Sequence, residues 1–363
     1  MKILFVREPH IDETPSGPRV VAQKLLEYLY NKVNVVLYPR VTYVHSLSRL
    51  RDIINRLSLS YRAVMVSDID LVHYITIPII TDFAAESIIL LSKLRRIPIV
   101  VNIHGIVYKE NPITHEYNVL RNKLVLISHI RAYSMNRIVV NSRYMKVVAS
   151  SYYNLPENKV VVIPNGVDIR RFTPSGGKIN LDGDPAILFA GRISWEKGVD
   201  VLIKALKLLK QDLREARVHV VGSGPWIDDV IQLAKKLNVN SHIKFHGKVP
   251  YHSLPYIFRG ADIFILPSRV EPFGMVLLEA MGCGLPIVAS KVGGIPEIVN
   301  HYENGILITP ENSVELSKAI VEIYSDSTLR KKLSANALLT ALKYSWESVA
   351  NMYLKLYEQL ILR

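Results

Sequence analysis

The sequence predicts an α/β protein with two parallel sheets, each covered by helices on both faces. Short runs rich in Val and Ile alternate with longer amphipathic stretches, which is the pattern of strand–helix–strand crossovers. That alternation is made twice, on either side of a stretch rich in Pro, Gly and Asp between Arg170 and Pro185. With 363 residues, 49% of them hydrophobic and 21% charged, the chain has the length for two domains and the composition of a globular protein.

In the first pass, apolar runs bounded by turn residues place strands at 2–6, 33–37, 71–75, 97–103, 137–141 and 159–163. Helices fill 17–30, 46–57, 82–94, 115–135 and 142–152. In the second pass, strands at 186–190, 217–221, 242–245, 262–266, 286–289 and 305–308 alternate with further helices. The chain then stays helical to its end, with Ser345 as N-cap of a helix through Leu362. The expected boundaries are 1–168 for the first domain, 169–185 for a linker and 186–344 for the second domain, with 345–363 joining the first.

The bulk numbers exclude several classes. The start, Met1-Lys2-Ile3-Leu4-Phe5-Val6-Arg7, is strand-like and lacks the apolar region and cleavage site of a signal peptide. No run reaches the roughly 20 apolar residues that span a bilayer. Cys283 is the only cysteine; it forms no intramolecular disulfide and reads as a small packed residue in a reducing cytoplasm. The net charge of +13 is uneven, with 22 Lys/Arg against 13 Asp/Glu in residues 1–170 and 23 against 19 in the rest. Such a field attracts nucleic acid, an anionic membrane or phosphorylated ligands. No zinc-ligand spacing, RNA-stacking signature or recognition-helix pattern favours nucleic acid.

The most informative segment is Arg269 to Ser290, where Glu271 and Glu279 frame a turn and the helix after it. Pro272 disfavours helix at Glu271 and Gly274 permits close backbone approach, so the helix starts near Gly274 with free N–H groups pointing back at the loop. That is an anion site, and the backbone of Phe273, Gly274 and Met275 belongs to it. Glu279, two turns on, is placed to accept hydrogen bonds from the hydroxyls of a ribose. Both flanking segments read as buried strands, and ligands of parallel sheets gather at strand carboxyl ends.

A second cluster follows the strand at 186–190: Gly191-Arg192-Ile193-Ser194-Trp195-Glu196-Lys197-Gly198. Here Arg192 can fork two phosphate oxygens and Lys197 adds a point charge, which suits a diphosphate. Gly222 and Gly224 form a Gly-x-Gly turn after the next strand, which is either a ligand loop or a plain tight turn. Gly17, in Thr14-Pro15-Ser16-Gly17-Pro18-Arg19, offers backbone amides before the first helix. His104 ends a strand and is a candidate site residue, whereas His73 reads as structural. The Asp68-Ile69-Asp70 and Asp182-Gly183-Asp184 triplets read as turn and capping residues rather than metal ligands.

Together the Glu271–Glu279 loop, Gly191-Arg192 with Glu196-Lys197-Gly198, Ile163-Pro164-Asn165-Gly166-Val167-Asp168 and Val221-Gly222-Ser223-Gly224-Pro225 resemble glycosyltransferase family 4, the retaining transferases of GT-B fold. The resemblance implies two Rossmann-like α/β/α domains facing across a cleft. The second binds an activated sugar nucleotide, the first shapes the acceptor site, and neither a metal nor another cofactor is required. It implies that Arg192 and Lys197 hold the donor diphosphate, Glu279 the ribose, and Glu271 with the Phe273-Gly274 backbone the transferred sugar. His104 matches the family histidine that contacts the donor sugar near the reacting carbon. One departure is that many members carry a Gly-Gly pair where this chain reads Ser16-Gly17-Pro18-Arg19, and Pro18 has no amide hydrogen to offer.

The expected reaction is transfer of a sugar from a UDP-, GDP- or ADP-sugar to a hydroxyl of a saccharide or lipid-linked acceptor. A nucleotide-sugar epimerase and a silent nucleotide-sugar binder are the alternatives. The basic stretches 46–57 and 90–96 read either as solvated helix faces or as contacts with an anionic membrane, which would place the protein at the inner membrane face.

Overall fold

The computed structural model describes residues 1–6, 17–30, 32–38, 58–75, 83–104, 135–153 and 155–362; the helices expected at 46–57 and 115–135 lie outside them. The chain divides into two compact units, Met1–Pro164 with Glu347–Arg363, and Asn165–Trp346.

In the first unit, strands β1 (Lys2–Val6), β2 (Asn34–Leu37), β3 (Leu71–Tyr74), β4 (Ile99–Ile103), β5 (Arg137–Val140) and β6 (Val160–Val162) form a sheet in the order β2-β1-β3-β4-β5-β6. All of its pairings are parallel, with Ile3 opposite Val35 on one side and Leu71 on the other. The helices of this unit include α1 (Gly17–Leu29), α2 (Phe83–Leu94) and α3 (Arg143–Tyr153). The connection from β1 to β2 moves one way along the sheet and those from β2 to β4 move the other. Right-handed crossovers therefore put α1 on one face, and α2 with the π-helical turn Arg62–Val66 on the opposite face. Alternate residues obey this division: Leu4, Val6, Val72, Tyr74 and Val101 share a buried cluster with Val64, Ile88 and Met145.

The intervening residues Phe5, His73 and Asn102 point to the other face, where buried polar groups meet the C-terminal helix. His73 Nε2 donates to Asn102 Oδ1 at 3.0 Å, Asn102 Nδ2 donates to the Tyr353 hydroxyl at 2.8 Å, and the Tyr357 hydroxyl donates to His73 Nδ1 at 2.7 Å. Burial holds the His73 imidazole down to about 4, against the opposing bond to Asn102. The unfolded chain takes up that proton first, so stability falls as the pH drops from 6.5 toward 4, by about 3 kcal/mol from this group. Replacing Tyr357 by Phe strands a buried acceptor and is expected to cost about 1–3 kcal/mol in urea unfolding; an unchanged midpoint would show that the network is idle.

The second unit has strands β7 (Ala186–Ala190), β8 (Arg217–Val221), β9 (Ile243–Gly247), β10 (Ile263–Leu266), β11 (Ile287–Ser290) and β12 (Ile306–Ile308), in the order β12-β11-β10-β7-β8-β9. They alternate with α4 (Val199–Leu209), α5 (Ile227–Lys236), α6 (Leu254–Phe258), α7 (Met275–Gly282), α8 (Ser313–Ser325) and α9 (Ser327–Lys343); α10 (Trp346–Ile361) closes the chain. β7, β10 and β11 are buried along their whole length, as expected of strands covered on both faces.

Residues 169–185, expected as a linker, pack onto this unit. Phe172 is 1% exposed and stands edge-on to Tyr251 and Phe258, at 5.5 and 5.9 Å between ring centroids. Ile179 N donates to Tyr256 O at 2.9 Å, and Arg217 pairs with Asp182 at 3.2 Å. The polar composition of the stretch conceals that one aromatic anchor. Gly166 also has a structural reason to be glycine: an added Cβ would lie 2.6 Å from the Trp346 ring. Cys283 is buried, and burial pushes its thiol up to about 12.

Candidate functional site

β7 and β10 are neighbours in the second sheet, yet the chain runs from β7 toward β9 in one direction and from β10 toward β12 in the other. The loops that leave the two strands therefore diverge, and a crevice opens at the carboxyl ends where the strand order reverses. The loops in question are 191–198 and 267–274, which hold most of the residues singled out from the sequence.

Loop 191–198 is held by its neighbours through backbone bonds. Gly191 N donates to Val221 O at 2.9 Å and Ile193 N to Ser223 O at 3.0 Å. A turn at Trp195–Lys197 and a left-handed Gly198, at φ 66°, lead into α4. The close approach explains the Gly-x-Gly spacing: a Cβ on Gly222 would lie 1.8 Å from the Gly191 carbonyl oxygen, and one on Gly224 2.1 Å from that of Ile193. Backbone packing within the protein therefore requires both glycines.

Loop 267–274 is fixed chiefly by Arg269, a side chain to which sequence reasoning gave no role. Its guanidinium donates to both Asp200 carboxylate oxygens at 2.8 Å, to Glu311 Oε1 at 2.8 Å and to the Trp195 carbonyl at 2.8 Å. It also lies over the rings of Trp195 and Trp226, at 5.2 and 5.9 Å from their centroids. Asp200 sits in the first turn of α4, so this fork ties one loop to the helix that follows the other. The Arg269 amide adds a bond to Glu196 O at 2.8 Å. Nothing in the local sequence marks Arg269, because its partners are 69 and 42 residues away.

The result is a short ion pair between the loops: Lys197 Nζ donates to Glu271 Oε2 at 2.6 Å, with the lysine 22% and the glutamate 8% exposed. Glu271 O also accepts from Gly294 N at 2.9 Å. Arg192 is exposed and, among the described residues, makes no ion pair. Gly274, at φ 101°, takes the left-handed conformation that turns the chain into α7 at Met275. The amides of Met275 and Val276 have no partner within that helix, while the Phe273 side chain is buried. Glu279 is buried on α7, and burial pushes its carboxyl up to about 8, partly offset by a hydrogen bond with the Tyr251 hydroxyl. Burial and the Glu279 charge in turn raise Tyr251 well above its ordinary range.

Chemically, this arrangement offers two cations and helix amides for a diphosphate, one buried carboxyl two turns further on and one carboxylate held at the crevice. His104 and Gly17 belong to the first unit. His104 follows β4 and its Nε2–H donates to the Ile75 carbonyl at 2.7 Å, which leaves Nδ1 as an acceptor. Desolvation holds that imidazole down to about 4 despite the Ile75 bond, so it is neutral at pH 7. Asn141 Nδ2 donates to His104 O at 3.4 Å, and Asn141 Oδ1 is buried without a partner among the described residues, a feature the sequence did not suggest. Gly17 is the first residue of α1. The Asp-x-Asp triplets serve the fold: Asp70 accepts from Lys2 N at 2.7 Å, Asp182 pairs with Arg217, and Asp184 accepts from the Tyr324 hydroxyl at 2.5 Å.

Residues 12–171 match the family model described as Glycosyltransferase Family 4, and residues 176–339 match that described as Glycosyl transferases group 1. The chain is 33% identical over 244 residues to an uncharacterized glycosyltransferase of Methanocaldococcus jannaschii, a match covering 64% of this chain and 62% of the relative. It is 34% identical over 239 residues to a D-inositol 3-phosphate glycosyltransferase of Actinosynnema mirum, covering 62% of this chain and 57% of that protein. The matches thus span under two thirds of these relatives. Among solved structures, Alr3699/HepE of Anabaena in complex with UDP and glucose superposes with a TM-score of 0.74 at 22% identity, over 99% of each chain. Sucrose-phosphate synthase of Thermosynechococcus elongatus does so with a TM-score of 0.75 at 19% identity, over 100% of each chain. These likenesses show a shared two-sheet fold.

Proposed function

The chain belongs to glycosyltransferase family 4, with the group 1 transferase model matched in its second half, and on that premise we propose that it moves a sugar from a nucleoside-diphosphate donor to a hydroxyl acceptor with retention of configuration. The observation that carries this reading is the Lys197–Glu271 pair at 2.6 Å, set where the second sheet reverses its strand order. An ammonium has three N–H groups, so the bond to Glu271 leaves two for phosphate oxygens. Glu271 keeps Oε1 for a sugar hydroxyl. Arg192 adds a forked donor for the diphosphate, and the backbone of Phe273, Gly274 and Met275 holds phosphate and sugar at the start of α7.

Charge grows on the diphosphate as the bond from C1 to its oxygen breaks, and cations fixed in place before the reaction stabilise it. Because Oε2 of Glu271 is engaged by Lys197, we assign retention to attack on the face the diphosphate leaves. The acceptor oxygen bonds to C1, and its proton passes to the departing phosphate. His104, neutral and with Nδ1 free to accept, is assigned to the transfer step, and Gly17 to donor contact through its backbone. Both assignments rest on the family resemblance. UDP-sugars are the first donors to test, since the Anabaena structure of this fold holds UDP and glucose; GDP- and ADP-sugars follow. The acceptor is a hydroxyl of a saccharide or of a lipid-linked glycan.

The test is incubation with each donor over an acceptor panel. Release of nucleoside diphosphate in proportion to glycosylated acceptor supports the reading. Epimerised donor without nucleotide release would overturn it.

A pH profile checks the ribose assignment. Ribose hydroxyls donate to an ionised Glu279, so donor binding must draw this carboxyl below its free value of about 8. Affinity for an intact nucleotide sugar should rise up to about tenfold per pH unit below pH 8 and level off above it. Intact donors have no phosphate group that titrates in this range, and Glu279→Gln should flatten the profile. A wild-type profile that is already flat would remove Glu279 from the ribose site.

A further inference from the structure

We propose that Tyr251 is a positioning residue of the donor site: its hydroxyl holds the Glu279 carboxylate for the ribose, and the turn at 168–172 holds the Tyr251 ring. Glu279 is the residue assigned above to the ribose, and the role of Tyr251 rests on that assignment. Glu279 lies in the second turn of α7, is 8% exposed and makes no ion pair among the described residues. A buried carboxylate without a cation needs hydrogen-bond donors to stay charged. Tyr251 offers one: its hydroxyl donates to the Glu279 carboxylate and favours the ionised form. A carboxylate has about four acceptor positions, so this bond leaves room for both ribose hydroxyls.

The hydroxyl comes from another element. β9 ends at Gly247, and the chain turns through Pro250 into a single helical turn over Tyr251–Ser253. There the ring is gripped by two neighbours. Phe172 stands edge-on to it at 5.5 Å between centroids, and the Arg171 guanidinium lies 5.5 Å from its centroid. The grip is itself braced: Arg171 pairs with Asp168 at 3.7 Å, and the amides of Arg171 and Phe172 donate to the Asp168 carbonyl at 3.0 and 2.8 Å. A ring held in this way keeps its hydroxyl on Glu279. The start of the stretch that reads as a linker thereby supports the donor site. The charged and titratable groups around the pair are Asp168, Arg171, Arg259 and Cys283. Burial raises Tyr251 well above its ordinary range and pushes the Cys283 thiol up to about 12, so both keep their protons where Glu279 titrates, at about 8.

The experiment compares Tyr251→Phe with the wild type, because phenylalanine keeps the ring and its packing and removes only the hydroxyl. The first readout needs no donor. The full chain is labelled at the glutamate side-chain carboxyl carbon, and the NMR signal that is missing from Glu279→Gln is followed between about pH 6 and about pH 9.5. Its midpoint should move up by about one pH unit in Tyr251→Phe, since a hydrogen bond to a charged group is lost. The second readout is affinity for UDP-glucose, GDP-mannose and ADP-glucose over the same range. For whichever binds, Tyr251→Phe should weaken affinity about tenfold at about pH 7 and less than about twofold at about pH 9.5. A carboxyl midpoint that stays in place, or an affinity weakened by the same factor at every pH, would overturn the role of Tyr251. A midpoint that moves while wild-type affinity is flat with pH would instead overturn the ribose assignment on which that role rests, so the two failures are told apart.

Discussion

Replacing Lys197 by alanine should lower the rate of sugar transfer by about 100-fold or more while leaving the protein folded. The rate effect follows from the proposed reaction, in which the ammonium supplies charge to the departing diphosphate and loss of one such fixed donor typically costs that much. The fold is less dependent on it. Lys197 is 22% exposed, so its pair with Glu271 is partly screened, and the 8% exposed carboxylate left behind should cost about 1–3 kcal/mol rather than the full penalty of a buried pair. Steady-state transfer and urea unfolding measured on one preparation separate the two effects. A variant with wild-type kcat/KM would remove Lys197 from the chemistry.

Arg269→Ala should have the largest effect on stability, with a further loss of activity that follows from it. The side chain is 8% exposed and holds Asp200 through two parallel bonds at 2.8 Å, with Glu311, the Trp195 carbonyl and two indole faces completing its surroundings. Its removal strands an Asp200 carboxylate that keeps, among the described residues, the ion pair with Lys204 at 3.0 Å. The expected cost is about 2–4 kcal/mol in urea unfolding. In the proposed site Arg269 acts by positioning Glu271, two residues away, and the Trp195–Lys197 turn, so donor affinity should weaken about tenfold, with the Glu279 pH profile unchanged in shape. Arg269→Lys keeps the charge but cannot form the fork, and should recover only part of either loss. An unfolding midpoint equal to that of the wild type would contradict the role given to this residue.

The contrast between Lys197 and Arg269 marks how far the sequence can be read. The turn around Lys197 and the loop around Glu271 announce themselves locally, because each follows a short buried strand and precedes a helix, with glycine or proline at the bend. The strands at 186–190 and 217–221 are found with the expected ends, and α7 starts one residue past Gly274 as its left-handed conformation requires. The partner that holds the loops together could not be found this way, since the Arg269–Asp200 fork spans 69 residues and two sheet crossovers. For the same reason the network from His73 to Tyr357, 284 residues apart, left His73 looking like an ordinary strand-end histidine. The stretch 169–185 misled in the opposite direction, because its composition suggests a free linker while Phe172 anchors it in a core. The Gly-x-Gly of Gly222 and Gly224 was open to two readings, and the near contact with the carbonyls of Gly191 and Ile193 supplies a packing reason for both.

The central claim is that the reversal point of the second sheet is a nucleotide-sugar site built on Lys197, Glu271 and Glu279. Thermal unfolding of the full chain with saturating UDP-, GDP- and ADP-sugars tests it most directly, because a ligand that binds only the folded state raises stability by about 2.7 kcal/mol at 100 times its dissociation constant. One of these donors should raise the unfolding temperature of the wild type, and that rise should be lost in Lys197→Ala and in Glu279→Ala. A rise that persists undiminished in both variants, or none with any of the donors, would contradict it.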